Sequence, residues 1–289
     1  MKRDREYCSD LSRAQGEPML GTADPVDLWL LLEYKSSWKP RAIEDNGLDD
    51  ETSRWLEASV ENCAKKGLKA RPQFIRRPDT DAGATTLFVA RDNAVGRIEV
   101  SDYEAVREID VLTADLIPMR ENVYFVCTNG QRDFCCARYG LPTFEGLKEL
   151  VGERVWQTTH LGGHRFAPNV LTLPQGVLYG RVDVDDVNAF VTTIESGDLS
   201  RPHVRGRSAF PPEAQFEELQ VTGRVEALLD VREDRVLFQT NLGEEEVQIQ
   251  KSSIPLQVVA SCGDSESKDV YPLAGPRNTF GHVVDDEML

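Results

Sequence analysis

The chain has 289 residues, 40% hydrophobic and 28% charged, with a net charge of −16 and an isoelectric point near 4.8. That is enough for two globular domains, or two small ones and a tail. So acidic a chain does not suit nucleic acid, whose phosphates need a basic surface, and no window approaches 18 uninterrupted apolar residues, so no membrane span is expected. The N-terminal MKRDREYCSDLSRAQGE lacks the apolar core of a secretory signal. The six cysteines are unevenly spaced and two adjoin. This is not a disulfide framework, and a reducing, cytoplasmic location is the expectation.

Residues 1–25 read as irregular, with Cys8 an ordinary thiol. Val26 to Tyr34 reads as a buried strand. Asp49-Asp50-Glu51-Thr52 then opens a helix with acids at the positive end of its dipole. Trp55, Leu56, Val60, Cys63 and Ala64 recur at helical spacing up to Lys65-Lys66-Gly67. Strands are expected at 71–76, 86–90 and 96–100, the last two joined by a turn at Asp92-Asn93, and a helix over 102–110.

Residues 123–182 carry the chemistry. Val123-Tyr124-Phe125-Val126 is a short apolar run that predicts a buried strand, and Cys127 stands at its end. The polar, turn-prone stretch 128–133 leads to Cys135 and Cys136, so Cys136 returns from a loop or the start of a helix. Val155 to Thr159 repeats the pattern, with His160 after the strand and His164 beyond Leu161-Gly162-Gly163. The glycine pair lets the backbone curl with positive φ, so a loop fits better than a helix. A helix within 143–151, a hairpin over 170–182 turning at Pro174-Gln175-Gly176, and a helix from Asp186 to about Ser196 complete this half.

Two thiols and two imidazoles suit zinc or an iron–sulfur centre. The spacing is C-x8-C, then 23 residues, then H-x3-H. Zinc fingers favour a shorter cysteine knuckle. The longer span suits ligands that approach a larger object from several sides. Either Cys135 or Cys136 could be the second thiol.

The stretches CTNGQRDFCC, WQTTHLGGHRFAPNV and LPQGVLYGRV resemble the sucrase/ferredoxin-like family. Its cluster-bearing domain is similar to thioredoxin-like [2Fe–2S] ferredoxins, in which four cysteines hold the cluster. The resemblance implies a bis-histidinyl [2Fe–2S] cluster with Cys127, Cys136, His160 and His164 as ligands. Ala137 departs from the glycine usual after the second cysteine. The motifs cover about 60 residues and leave 206–289 untouched.

The two halves share an element order, β-α-β-β-β-α. GRIEVSDYEAV (96–106) also aligns with GRVDVDDVNAF (180–190). The expectation is an internal duplication, with Glu33 and Tyr34 standing where Cys127 stands. The fold class is therefore α/β: a thioredoxin-like ferredoxin fold, duplicated as a pseudo-dimer, with a small β-rich C-terminal appendage. Its parts are 1–110 without ligands, 111–205 with the cluster, and 206–289 as linker and extension. The Gly-, Pro- and Arg-rich stretch 197–216 reads as linker with His203 solvated. Beyond it, strands are expected at 221–231, 235–240 and 246–250, Cys262 reads as a structural thiol, and the last dozen residues, with His282, as disordered.

The expected function is one-electron transfer or redox sensing with an unknown protein reductase or acceptor, as a carrier more than as a stand-alone enzyme. The chain would be a monomer with an internal pseudo-dimer, or a homodimer. The alternatives are a zinc-stabilised Cys2His2 interaction protein and a thiol oxidoreductase. The second is disfavoured because no C-x-x-C follows the first strand. No nucleotide-binding or zinc-protease motif is present, and no paired carboxylates mark glycoside hydrolysis.

Overall fold

The structure is a computed structural model and describes residues 6–78, 83–114, 116, 119–249, 256–259, 261–262 and 267–270. The chain is mixed α/β. It forms α1 (Cys8–Ala14), β1 (Leu28–Glu33), α2 (Asp50–Lys65), β2 (Ala70–Arg76), β3 (Thr85–Arg91), β4 (Ala94–Val100), α3 (Tyr103–Val106) and β5 (Val123–Cys127). Next come α4 (Phe134–Val151), β6 (Val155–Thr158), β7 (Val170–Leu173), β8 (Val177–Tyr179), α5 (Val187–Glu195), β9 (Val204–Arg207) and α6 (Pro212–Glu217). Five further strands follow: β10 (Val225–Val231), β11 (Arg235–Thr240), β12 (Gly243–Gln248), β13 (Leu256–Val259) and β14 (Ser267–Val270).

The first nine strands form one sheet in the order β4-β3-β1-β2-β6-β5-β7-β8-β9. β1 and β2 run parallel across α2, and β5 and β6 run parallel across α4. Each parallel pair continues outward through antiparallel strands, β3-β4 on one side and β7-β8 on the other. The two sides meet where β2 and β6 pair antiparallel, Ile75 with Thr158 and Arg76 with Gln157. One row across the sheet therefore reads Glu33, Ile75, Thr158, Cys127. Glu33 and Cys127 are at matching places on the two sides.

Every residue of β1 and β5 is buried, as their unbroken apolar runs require. Side chains alternate between the faces of the sheet. Leu28, Leu30 and Leu32 pack with Leu56 and Cys63 of α2. Tyr124 and Val126 pack with Phe144 and Leu147 of α4 and Phe190 and Ile194 of α5. The alternate residues Trp29, Leu31, Phe125 and Cys127 join Ile75, Phe88, Trp156 and Leu171 in a separate cluster. There the Phe88 ring meets Phe125 and Trp156 edge-on, at centroid distances of 5.3 and 5.5 Å.

Several expectations change. α1 forms where irregular chain was expected, and its Cys8, Ser9 and Ser12 are buried. α4 starts at Phe134, where Asp133 caps it, and carries Pro142 within it on its exposed side. α3 is one turn long instead of spanning 102–110. The stretch 197–216, read as linker, contains β9 and all but the last residue of α6. β9 extends the sheet beside β8, and its buried Arg205 and Arg207 find internal partners. His203 is not solvated: its side chain is 12% exposed and packs edge-on against Phe190.

β10, β11 and β12 form an antiparallel three-stranded sheet, in which Val236 and Phe238 pack with Phe210, Ala214 and Val221. β13 and β14 pair separately. His282 and the last dozen residues lie outside the described residues. Among the described residues no helix is long and apolar enough to cross a membrane.

Candidate metal centre

Cys127 closes β5, and the backbone N–H there is donated to the Asn169 carbonyl at 2.9 Å. The loop after it is short because α4 lies directly on the strand end. A Cβ at Gly140 would stand 2.2 Å from the Cys127 carbonyl oxygen, so the approach requires glycine. The Asp133 side chain accepts from the Cys135 N–H at 2.9 Å, capping α4. Cys135 and Cys136 thus sit in the first turn, where the helix dipole favours thiolate.

His160 follows β6, two residues past Thr158. Its carbonyl accepts from Arg71 Nη2 at 3.2 Å and Gln73 Nε2 at 3.3 Å, both on β2. Gly162 and Gly163 then take φ of +87° and +65°, the left-handed turn expected of the glycine pair, and a single 3-10 turn brings His164 back. The loop closes on Arg205, a residue that nothing in the sequence singles out. Its guanidinium is wholly buried and donates to the carbonyls of Gly162 and Thr22 and to Asn169 Oδ1, at 2.7 to 2.9 Å. Burial pulls its pKa down to about 10, still high enough to keep the cation at neutral pH. Arginine in a Gly-Arg-rich stretch reads as surface. The alternation of Val204 and Gly206 with two arginines was the available strand signal.

Cys127 Sγ, Cys136 Sγ and one His160 ring nitrogen lie within 4.8 Å of one another. Cys136 Sγ is 3.9 Å from His160 Nδ1. His164 stands one ring further out, with Nδ1 3.4 Å from His160 Nε2 and the ring centroids 5.0 Å apart. Its Nε2 is 2.7 Å from Ser261 Oγ and 3.8 Å from Asp133 Oδ2. The four residues singled out from the sequence thus form one chain of contacts.

The hydrogen bond from Cys136, and then that from His160, hold Cys127 well below the usual thiol pKa despite full burial. Cys136, which donates that bond and is itself buried, is pushed well above it. Ionising both thiols requires a cation between them. Donor set and charge therefore suit a thiophilic metal or an iron–sulfur group. Arg165 takes no part in this group; it pairs with Glu17 at 2.7 Å.

Cys135 faces elsewhere. With Asp133 it meets Cys8 and Cys262, forming a second group of possible metal ligands. In the sequence Cys8 and Cys262 stand as isolated thiols. Nothing local marks a contact between residues 254 positions apart.

The sucrase/ferredoxin-like family model matches residues 19–206. Among curated proteins, altered inheritance of mitochondria protein 32 from Meyerozyma guilliermondii is 34% identical over 99 residues. That match covers 30% of this chain, and the chain spans about a third (34%) of that relative's length. Solved structures that match include a thioredoxin-like [2Fe–2S] ferredoxin from Aquifex aeolicus, at 21% identity and a TM-score of 0.28, over 32% of this chain and 97% of that one. A cysteine-to-serine variant of the same ferredoxin matches at 22% identity with a TM-score of 0.27, over 29% and 97% respectively.

Proposed function

This chain belongs to the sucrase/ferredoxin-like family, and we propose that it is a [2Fe–2S] protein for one-electron transfer or redox sensing, its cluster held by Cys127, Cys136, His160 and His164. The observation that carries this reading is the convergence of two buried thiols and two imidazoles at the ends of β5 and β6. Such a cluster supplies a reversible one-electron couple. The chain's own residues orient and shield it. The first turn of α4 and the Arg205-braced loop fix the ligands from two sides, and burial of Cys127 and Cys136 keeps water from the sulfurs. His160 also lines a surface depression with Arg71, Gln73, Asn129 and Arg132, and a protein redox partner would approach there.

The same reading takes the ligand half, 111–205, as a thioredoxin-like ferredoxin domain and 1–110 as a duplicated partner that has lost the ligands. The mirrored strand order and the matching places of Glu33 and Cys127 support it. Residues 206–289 would be an appendage. A second reading, one zinc ion, draws on the compactness of the Cys127, Cys136 and His160 group.

Iron, acid-labile sulfide and visible absorption of anaerobically purified protein decide between them. A coloured protein that bleaches in Cys127→Ser and Cys136→Ser but not in Cys135→Ser is expected, since serine oxygen is a poor substitute for thiolate. A colourless protein with stoichiometric zinc lost in Cys127→Ser sinks the cluster.

A further inference from the structure

We propose that Cys8, Cys135 and Cys262, with Asp133, form a second metal site, separate from the first, that binds one zinc ion. The three thiols come from the start of α1, the first turn of α4 and the segment after β13, yet their sulfurs form a near-equilateral triangle. Its edges are 3.6 Å (Cys8–Cys135), 3.2 Å (Cys135–Cys262) and 3.6 Å (Cys262–Cys8). Zinc–thiolate bonds of about 2.3 Å in a tetrahedron place sulfurs about 3.8 Å apart. Two edges need to widen by about 0.2 Å and the Cys135–Cys262 edge by about 0.6 Å.

A disulfide explains the group less well. Its bond is about 2.05 Å, and one bond among three thiols leaves the third unpaired. The surroundings also fit a cation. The Asp133 carboxylate oxygens lie 3.8 and 4.0 Å from Cys8 Sγ, and the backbone N–H groups of Cys135 and Cys262, each at 2.9 Å, hold that carboxylate in place. It is positioned to supply the fourth, oxygen ligand. The backbone N–H of Cys8 donates to Cys262 Sγ at 3.4 Å, favouring thiolate there. Cys8 and Cys135 are fully buried and Cys262 half-buried. Three thiols and a carboxylate packed this closely cannot all ionise against one another, and a divalent cation removes that repulsion as protons leave.

The consequence is a clasp. Zinc would bind the N-terminal helix and the Ser261-Cys262 segment to α4. Ser261 Oγ is the hydrogen-bond partner of His164 Nε2 at 2.7 Å, so the clasp lies beside the first centre without supplying any of its ligands.

The test uses the full chain, purified anaerobically under reductant, with zinc and iron measured by mass spectrometry and the zinc shell read by X-ray absorption. Expected are one zinc per chain with a three-sulfur, one-oxygen shell, and its loss in Cys8→Ser and in Cys262→Ser while the absorption and iron of the first centre persist. Should the serine variants not fold, cobalt(II) added to zinc-depleted wild-type chain reports instead. Thiolate-to-cobalt bands of three-sulfur intensity with tetrahedral ligand-field absorption support the site; two-sulfur intensity, which the first centre alone would give, or no bands at all overturns it. Zinc content unchanged in both variants, copper(I) in place of zinc, a mixed nitrogen and sulfur shell, or a Cys135–Cys262 disulfide under reductant each overturn it too. A colourless chain that keeps Cys8-dependent zinc would refute the cluster reading and leave this one standing.

Discussion

Gly163→Ala probes the brace that holds both histidines. Gly163 is in the left-handed region, at φ 65° and ψ 48°, which costs an alanine about 1–2 kcal/mol, offset by about 0.4–1 kcal/mol from the stiffer unfolded chain. A Cβ there would also stand 2.5 Å from Arg205 Nη2 and 2.8 Å from its Cζ. The guanidinium is buried among fixed oxygens, so it must shift by about an ångström and give up at least one charge-assisted bond, worth about 1.5–3 kcal/mol. The sum is about 3 kcal/mol. Gly67→Ala is the control. Gly67 has φ +76° after α2, where the Leu68 N–H donates to the Cys63 carbonyl and closes the helix, and a Cβ at Gly67 would meet nothing within 4 Å. It should cost about 1 kcal/mol, the backbone penalty alone. Urea unfolding followed by tryptophan fluorescence gives the stabilities, and metal content gives the state of the site. Gly163→Ala should be the more destabilised by about 2 kcal/mol, the lost bond, and should bind less metal. Equal losses in the two variants, with metal retained, would show that Arg205 does not brace the loop.

Other outcomes follow from the same geometry. In iron-loaded protein, His160→Cys or His164→Cys should lower the midpoint potential, because a thiolate brings negative charge where a neutral imidazole brought none; voltammetry showing no change in either variant removes the imidazoles from the centre. Burial lowers the pKa of His203 below its ordinary 6.5, with Asp186 opposing. As pH falls through about 6.5 the unfolded chain takes up that proton first, so stability present above this pH declines until the folded pKa is reached. His203→Gln should flatten that decline in urea melts, and an unaltered pH profile counts against it. Arg207 and Glu218 pair at 2.7 Å with side chains 8% and 3% exposed. Glu218→Ala should cost about 3–5 kcal/mol by stranding the buried cation, and adding Arg207→Met should recover much of it. A single variant as stable as wild type refutes the pairing argument.

Sequence alone marked most strands of the large sheet and the four residues that the structure brings together past the ends of β5 and β6. Unbroken apolar runs mark β1 and β5 because strands buried on both faces have no polar side to show. Cys127 and His160 could be placed at strand ends because a run's limits are local, and Gly162-Gly163 marks its turn because positive φ is a property of single residues. The start of α4 was only half legible: Cys136 fitted either a loop or the start of a helix, Pro142 reads as a break, and Asp133 capping the turn before Cys135 decides for the helix. Arg205 was not legible, since arginine reads as surface unless the carbonyls that receive it are known, and those belong to residues 22 and 162. The meeting of Cys8, Cys135 and Cys262 was decided by tertiary structure alone. α1 and the segment after β13 both dock against the first turn of α4, across 127 and 254 residues of chain, and no periodicity or spacing encodes a contact that depends on how three separate segments pack.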